Sequence, residues 1–316
     1  MFLLIQELNT PNKEGSRVAE LAKNTADIST IPAEEKLIPP WKEAWQSFYK
    51  NRLALAGLCI VIFFIIIAII APWIAPYGFK TQVLADRMQA PSSKHWFGTD
   101  DFGRDIFSRV IYGARISLWV GFFSVLGSVV FGTLLGIVAG YYGRWVDAII
   151  SRIFDVMLAF PSILLAIAVV SILGPSLKNA LIAIAVINIP NFGRLVRSKV
   201  LSVKQEEYIM AARAVGMKDT RILLQHILPN SISPVIVQAT LAIATAIIEA
   251  AALGFLGLGA QPPEPEWGKM LADSKNYITN APWTLFFPGM AIMLTVLGFN
   301  LMGDGLRDVL DPKMKQ

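Results

Sequence analysis

LALAGLCIVIFFIIIAIIAPWIAP, residues 53–76, contains no charged side chain. Backbone amides and carbonyls find no water in a bilayer core. A run this long and this apolar therefore reads as an α-helix that satisfies its own polar groups while crossing about 30 Å of hydrocarbon. Five further runs read the same way, near 116–140, 147–173, 180–196, 231–253 and 285–303. The fourth is the weakest: Pro190 interrupts it, and Arg194, Arg197 and Lys199 crowd its end, which predicts a short, kinked or tilted crossing. The expected fold is all-α, a polytopic membrane protein with six transmembrane helices.

Composition agrees. The 316 residues are 54% hydrophobic and 16% charged, against roughly 45–50% and about 25% in a soluble domain. A mean hydropathy of +0.54 excludes an ordinary water-soluble globule. The single cysteine, Cys59, lies inside the first apolar run, so this chain alone forms no disulfide and no cysteine metal cluster. A net charge of +5 fits lysines and arginines gathered in loops. No basic run is interleaved with aromatics, so no nucleic-acid partner is expected.

Segment 194–229 sets the orientation. Arg194, Arg197, Lys199, Lys204, Arg213, Lys218 and Arg221 outweigh Glu206, Glu207 and Asp219, and the positive-inside bias makes this loop cytoplasmic. Counting spans outward puts both termini inside and leaves 77–115 and 254–284 external. The first of these carries Lys80, Arg87, Lys94, Arg104, Arg109 and Arg115 against the bias, partly offset by Asp86, Asp100, Asp101 and Asp105. Residues 1–40 read as a flexible cytoplasmic tail without the basic start of a cleavable signal. Residues 41–52 put Trp41, Trp45 and Phe48 on one side of an interfacial amphipathic helix, ahead of the membrane body at 53–316.

Three motifs stand out in that body. Ser128, Gly132, Gly136 and Gly140 recur every four residues, a smooth ridge for close helix contact within this chain or against another subunit; Ala242, Ala246 and Ala250 repeat it more weakly. Gly98, Asp100, Asp101, Gly103, Arg104 and Asp105 form an acidic-basic elbow, either self-paired or a docking surface. Gly254, Gly257 and Gly259, followed by Pro262, Pro263 and Pro265, interrupt any helix after the fifth span. Ionisable residues inside spans are few: Asp147 and Arg152 are within reach of the interface, Asp155 is expected to cap or to pair with a base such as Arg152, and Glu249 sits near the external end of its span.

The loop itself reads EEYIMAARAVGMKDTRILLQHILP, residues 206–229. The expectation is two short helices about a joint. Glu206–Val215 is closed by Gly216, the second helix is capped by Asp219 or Thr220, and Pro229 marks the boundary with the next span. Ala211, Ala212 and Ala214 leave a low surface beside Met210, Val215 and Met217, suited to another protein's groove.

Ala211-Ala212, then Gly216, then Leu228-Pro229 resembles the EAA loop of permease subunits in bacterial ABC importers. Met210 stands at that family's glutamate position and His226 at an isoleucine position, variants found in the peptide/nickel-type permeases. HWFGTDDFGRDIFSRVIYGARISL at 95–118, FLGLGAQPPEPEWGKML at 255–271 and GDGLRDVLDPK at 303–313 agree, so from about residue 42 onward the chain resembles the C-type permease of a dipeptide or oligopeptide importer of type I. The resemblance implies a bacterial cytoplasmic-membrane location and a second homologous permease subunit sharing the translocation path. It also implies an extracytoplasmic peptide-binding protein, and two ATP-binding subunits docked around Tyr208, Met210, Ala211, Ala212, Gly216, Leu228 and Pro229. ATP and magnesium then belong to those partners, and this chain binds no cofactor.

The residues themselves are compatible with divided labour. No G-x-x-x-x-G-K-[ST] phosphate loop is present, and Gly268-Lys269-Met270 lacks both its spacing and its hydroxyl. His95 and His226 fall on opposite sides of the membrane, so no histidine-based catalytic cluster forms and a non-catalytic subunit is expected. The competing reading is an ion-gradient-driven secondary transporter using Asp155 and Glu249; it leaves the loop elbow unexplained, and no pair of matching broken helices accompanies it.

Overall fold

A computed structural model describes residues 48–310. The expected tail at 1–40 and residues 41–47 of the expected interfacial helix lie outside the described residues; 48–50 are helical. Asn51 opens the first membrane helix, α1 (Arg52–Ile74), by accepting hydrogen bonds from the Leu53 and Ala54 amides at 3.1 and 3.2 Å. Helix α2 (Ile106–Tyr142) starts ten residues earlier than the sequence suggested, because Asp105 is a cap: its carboxylate accepts from the Ser108 amide at 2.8 Å. At 37 residues it is about 55 Å long, more than a bilayer needs, so its first turns stand outside the hydrocarbon.

The run at 147–173 is not one straight span. It is two helices, α3 (Arg144–Ala159) and α4 (Ser162–Leu173), bent by 98°. Pro161 supplies no amide hydrogen and pushes Phe160 into an extended conformation (φ −91°, ψ 141°), which ends α3. Helix α5 (Leu177–Val203) is not the short crossing the sequence suggested: it runs 27 residues through Pro190 without a break. A membrane helix tolerates the bond a proline removes when neighbouring helices hold it straight, and α5 is held along its length by α2. After the short α6 (Glu207–Ala214), helix α7 (Asp219–Phe255) runs 37 residues, followed by α8 (Trp267–Ser274) and α9 (Trp283–Leu310). Among the described residues five helices are long and apolar enough to cross a membrane, or six crossings if the bent pair counts as one.

The glycine ridge of α2 packs on α5 of the same chain. A Cβ at Gly132 would lie 2.6 Å from the Phe192 Cβ, at Gly136 2.5 Å from the Gly193 carbonyl oxygen, and at Gly140 2.8 Å from the Val200 Cβ. Ser124 and Ser128 add hydroxyl bonds to the Leu181 and Ala185 carbonyls at 3.2 and 2.9 Å. Lipid gives no hydrophobic reason for helices to associate, so this close approach and these bonds are what hold α2 to α5. Ala242, Ala246 and Ala250 of α7 are buried, all three in the core that α2 and α5 share. At the opposite flank, Gly57 of α1 meets the Met302 backbone of α9. The outward faces stay apolar, as Ile62, Phe63, Ile66 and Ile69 of α1 show.

Candidate functional site

At one end of the bundle the chain turns through the elbow between α5 and α7. Gly216 takes φ +80°, a left-handed closure, although a Cβ there would meet nothing within 4 Å; conformation, not space, requires glycine. Ile209 and Ala212 of α6 point inward, Ala212 at 8% exposure, while Met210 (56%), Ala211, Ala214 and Val215 (80%) face out. Ala212 is therefore an anchor of the elbow, not part of the outward low surface it was assigned to.

Neither Asp219 nor Thr220 caps the second helix. Lys218 occupies the cap without a side-chain bond, and the Asp219 carboxylate instead accepts the Tyr141 hydroxyl from the end of α2. Tyr141 is a hub that sequence reasoning missed. Lys204 donates to its carbonyl at 2.7 Å, and the Arg213 guanidinium lies 5.4 Å from its ring centre. Pro229 stands in the first turn of the α-helical part of the span, Leu228–Phe255, but does not interrupt the chain of helical turns. A π turn at Leu223–Ile227 lets the helix run on, and the Leu228 amide reaches back to the Leu223 carbonyl. Asn230 donates to the Tyr208 hydroxyl at 3.2 Å and to the His226 carbonyl at 2.6 Å. Tyr208, His226 and Asn230 thus tie α6 to the start of α7, and the elbow is one braced body.

The opposite end holds the acidic-basic elbow, whose predicted members come together. Asp100 accepts from Arg104 Nε at 2.6 Å and from the Phe102 and Arg104 amides at 2.9 Å; Asp105 meets His95 Nδ1 at 2.9 Å. A Cβ on Gly103, at φ +69°, would fall 1.9 Å from the Val83 carbonyl oxygen, so only glycine closes this turn; Gly98 is similarly close to the Gln89 carbonyl. The Lys94 ammonium, 2.5 Å from Asp86, holds that carboxyl below its usual range, while burial and then the neighbouring Asp100 push Asp101 up. The cluster pairs mostly within itself; His95 Nε2 is buried without a hydrogen bond, 3.6 Å from the Asp86 carboxylate.

Two buried ions near it were not singled out from sequence. Arg109 donates to the Phe79 carbonyl at 3.0 Å and the Pro263 carbonyl at 3.3 Å, joining two loops. Glu266 caps α8 by accepting the Gly268 and Lys269 amides at 2.8 Å, and burial pushes its carboxyl up to about 7. The signal available was a charge set among glycines and prolines, where a loop backbone needs fixed partners.

The acids inside the membrane body do not converge. Asp155 pairs with Arg194 of α5 and not with Arg152, and Asp147 pairs with Arg197 rather than reaching alone for the interface. Glu249 accepts from Asn188 Nδ2 at 3.0 Å. Among the described residues no three His, Cys, Asp or Glu side chains stand together as a metal site.

Residues 132–316 match the family described as binding-protein-dependent transport system inner membrane component, and residues 39–91 match the N-terminal TM domain of oligopeptide transport permease C. A dipeptide transport system permease protein of Alkalihalophilus pseudofirmus is 64% identical over 92% of this chain and 96% of its own length. A glutathione transport system permease protein of Escherichia coli is 52% identical over 93% of this chain and 98% of its own. Among solved structures, the inward-facing methionine ABC transporter MetNI aligns with a TM-score of 0.51 at 21% identity, covering 65% of this chain and 97% of that one, which shows the shared fold. With its bundle of membrane helices, its braced elbow and these relatives, the chain belongs to the family of binding-protein-dependent inner membrane components, as a multi-pass C-type permease subunit of a bacterial ABC importer.

Proposed function

We propose that this chain carries dipeptides or short oligopeptides inward across the cytoplasmic membrane, with both termini and the α6 elbow in the cytoplasm. The observation that carries the cargo class is the 64% identity, over nearly the whole chain, to a dipeptide permease. In this reading the path is shared with a second homologous permease, and an extracytoplasmic peptide-binding protein delivers the cargo. Two ATP-binding subunits, which hold the ATP and magnesium, grip α6. Lys204, Arg213, Lys218 and Arg221 around the elbow support its cytoplasmic placement.

The elbow's bracing supplies the mechanism. Exposed Met210, Ala211, Ala214 and Val215 present a low apolar knob, and Ile209 and Ala212 key it into the bundle. Tyr141 and the Tyr208–Asn230 bond link it to α2 and α7. A push on α6 when the ATPases close is then transmitted to two membrane helices instead of being absorbed by a slack loop.

The test is uptake of a labelled dipeptide into proteoliposomes holding the whole complex. Ala211→Glu places a charge on the knob without entering the core; Gly216→Val strains the left-handed closure by about 1–2 kcal/mol. Both variants are expected to insert normally and to lose co-purifying ATPase subunits or ATP-coupled uptake. Normal uptake in both overturns the docking role. Vanadate-insensitive uptake that Asp155→Asn and Glu249→Gln abolish would establish the ion-driven transporter instead.

A further inference from the structure

Helix α7 has grooves of opposite character on its two sides. Between α2 and α7 lies a cavity of about 710 Å³ with mostly aliphatic walls, among them Val130, Leu134, Val138, Ile232 and Ile236. On the other side, between α5, α7 and α9, a pocket of about 480 Å³ at the elbow end carries Lys199, Asn230, Ser233, Gln238 and Arg307 beside Leu195 and Leu241. The polar character continues deeper. Asn191 of α5 and Thr245 of α7 are exposed near the middle of their helices, Asn191 donating to Asn188 Oδ1 at 3.4 Å and Thr245 to the Ala242 carbonyl at 2.9 Å, and Asn188 meets Glu249 across the same pair. Asn188, Leu195 and Lys199 fall about two and three turns apart, on one face of α5; Gln238 and Glu249 fall about three turns apart, on one face of α7.

One long bond leaves most of the donors and acceptors of an exposed asparagine amide at mid-membrane depth unmatched, and lipid offers them no partner, so such a side chain faces protein or a water-filled cavity. We infer that the α5–α7 face is this chain's wall of the translocation path, and that the pocket at its elbow end receives the carboxylate end of the passing peptide on Lys199 and Arg307. Neither cation forms an ion pair with a described residue. A guanidinium and an ammonium converging on one pocket match a carboxylate with charge-assisted hydrogen bonds. The pocket's volume is within the range of small-ligand sites, about 300–1,000 Å³. The cargo assignment rests on the proposed peptide-importing function; the placement of the aqueous wall does not.

The experiment uses the complete transporter in proteoliposomes, with Cys59→Ala as background. Single Asn191→Cys, Thr245→Cys and Ile236→Cys variants are treated with a membrane-impermeant cationic methanethiosulfonate. Asn191→Cys and Thr245→Cys are expected to react several-fold faster than Ile236→Cys, and saturating dipeptide with ATP is expected to slow them. Faster labelling of Ile236→Cys, or equal rates at all three, overturns the wall. The Lys199→Gln/Arg307→Gln pair is expected to raise the KM for dipeptide uptake about tenfold or more, at unchanged subunit stoichiometry, and Lys199→Arg/Arg307→Lys to restore it. An unchanged KM overturns the carboxylate site. So does an effect that follows the content of phosphatidylglycerol in the vesicle rather than the cargo, which makes the pocket an anionic-lipid site. Absence of ATP-driven dipeptide uptake by the unmodified complex sinks the peptide function alone, since labelling without cargo still decides the wall.

Discussion

Gly136 faces the Gly193 carbonyl across the α2–α5 seam, where an added Cβ would sit 2.5 Å from that oxygen. Backbone cannot yield as a side-chain tip can, so Gly136→Val must part the two helices, at a cost of about 1–3 kcal/mol or more. The expected result is a lower thermal midpoint in detergent for Gly136→Val and none for Gly289→Ala, whose Cβ would meet only Leu271 at 4.0 Å. Equal shifts in the two variants would break the packing argument. Glu266 yields a pH prediction. Its carboxyl rises from an ordinary 4.5 to about 7 because burial disfavours the anion, so the folded state holds a proton that the unfolded chain releases. Stability from this group is complete below about pH 4.5 and falls as pH rises to about 7, by an amount on the order of 3 kcal/mol. The apparent melting temperature should therefore drop between pH 5 and pH 8, and Glu266→Gln should flatten that drop. An unaltered pH slope in the variant assigns the titration to another group.

The bent α3–α4 pair shows what hydropathy conceals at the level of an element. Averaged over 147–173 the run is apolar enough to read as one span, but Asp147, Ser151 and Asp155 recur every four residues, the period of one helix side. That spacing and Pro161 together were the legible signs of a surface helix followed by a break. Pro190 suggested too short a helix, because a local rule for soluble helices gave way to lateral packing on α2, and Pro229 marks the start of the α-helical span Leu228–Phe255 without ending the turns before it, since a π turn bridges the two. What anchors α3 is long-range and so invisible locally: Phe154 fills the space above Gly193, and Asp147 binds Arg197 through two contacts, the second at 2.7 Å. Asp147→Arg places like charges together and should lower the thermal midpoint. Arg197→Asp in the same chain should recover most of it, with a coupling energy of about 0.5–3 kcal/mol in the double-mutant cycle. Additive losses would mean that the pair does not hold α3 to α5.

Across the whole molecule, the number of apolar runs, the elbow and the glycine ridge were all written in stretches of consecutive residues, and those parts of the fold were legible. The sidedness of the bundle was not. Leu134 and Gln238 both belong to membrane helices, and only the tertiary arrangement puts one in an aliphatic groove and the other in a polar pocket. The difference has an energetic consequence that is independent of transport. A lysine introduced on the aliphatic side must carry its ammonium into hydrocarbon or into an apolar contact, at about 2.5–3.5 kcal/mol on insertion scales. On the polar side the same charge enters a pocket lined by Asn230, Ser233 and the cations Lys199 and Arg307, where like-charge repulsion costs less than transfer into hydrocarbon. Leu134→Lys is therefore expected to cut the yield of folded, membrane-inserted chain severalfold, whereas Gln238→Lys, with a similar chain length, leaves that yield near the unmodified level. Both are read by size-exclusion profile after solubilisation, so neither depends on ATP, cargo or partner activity. If the two lysines are tolerated alike, the polar residues of α5 and α7 are not facing water, and the division of this bundle into a wet and a dry side fails with them.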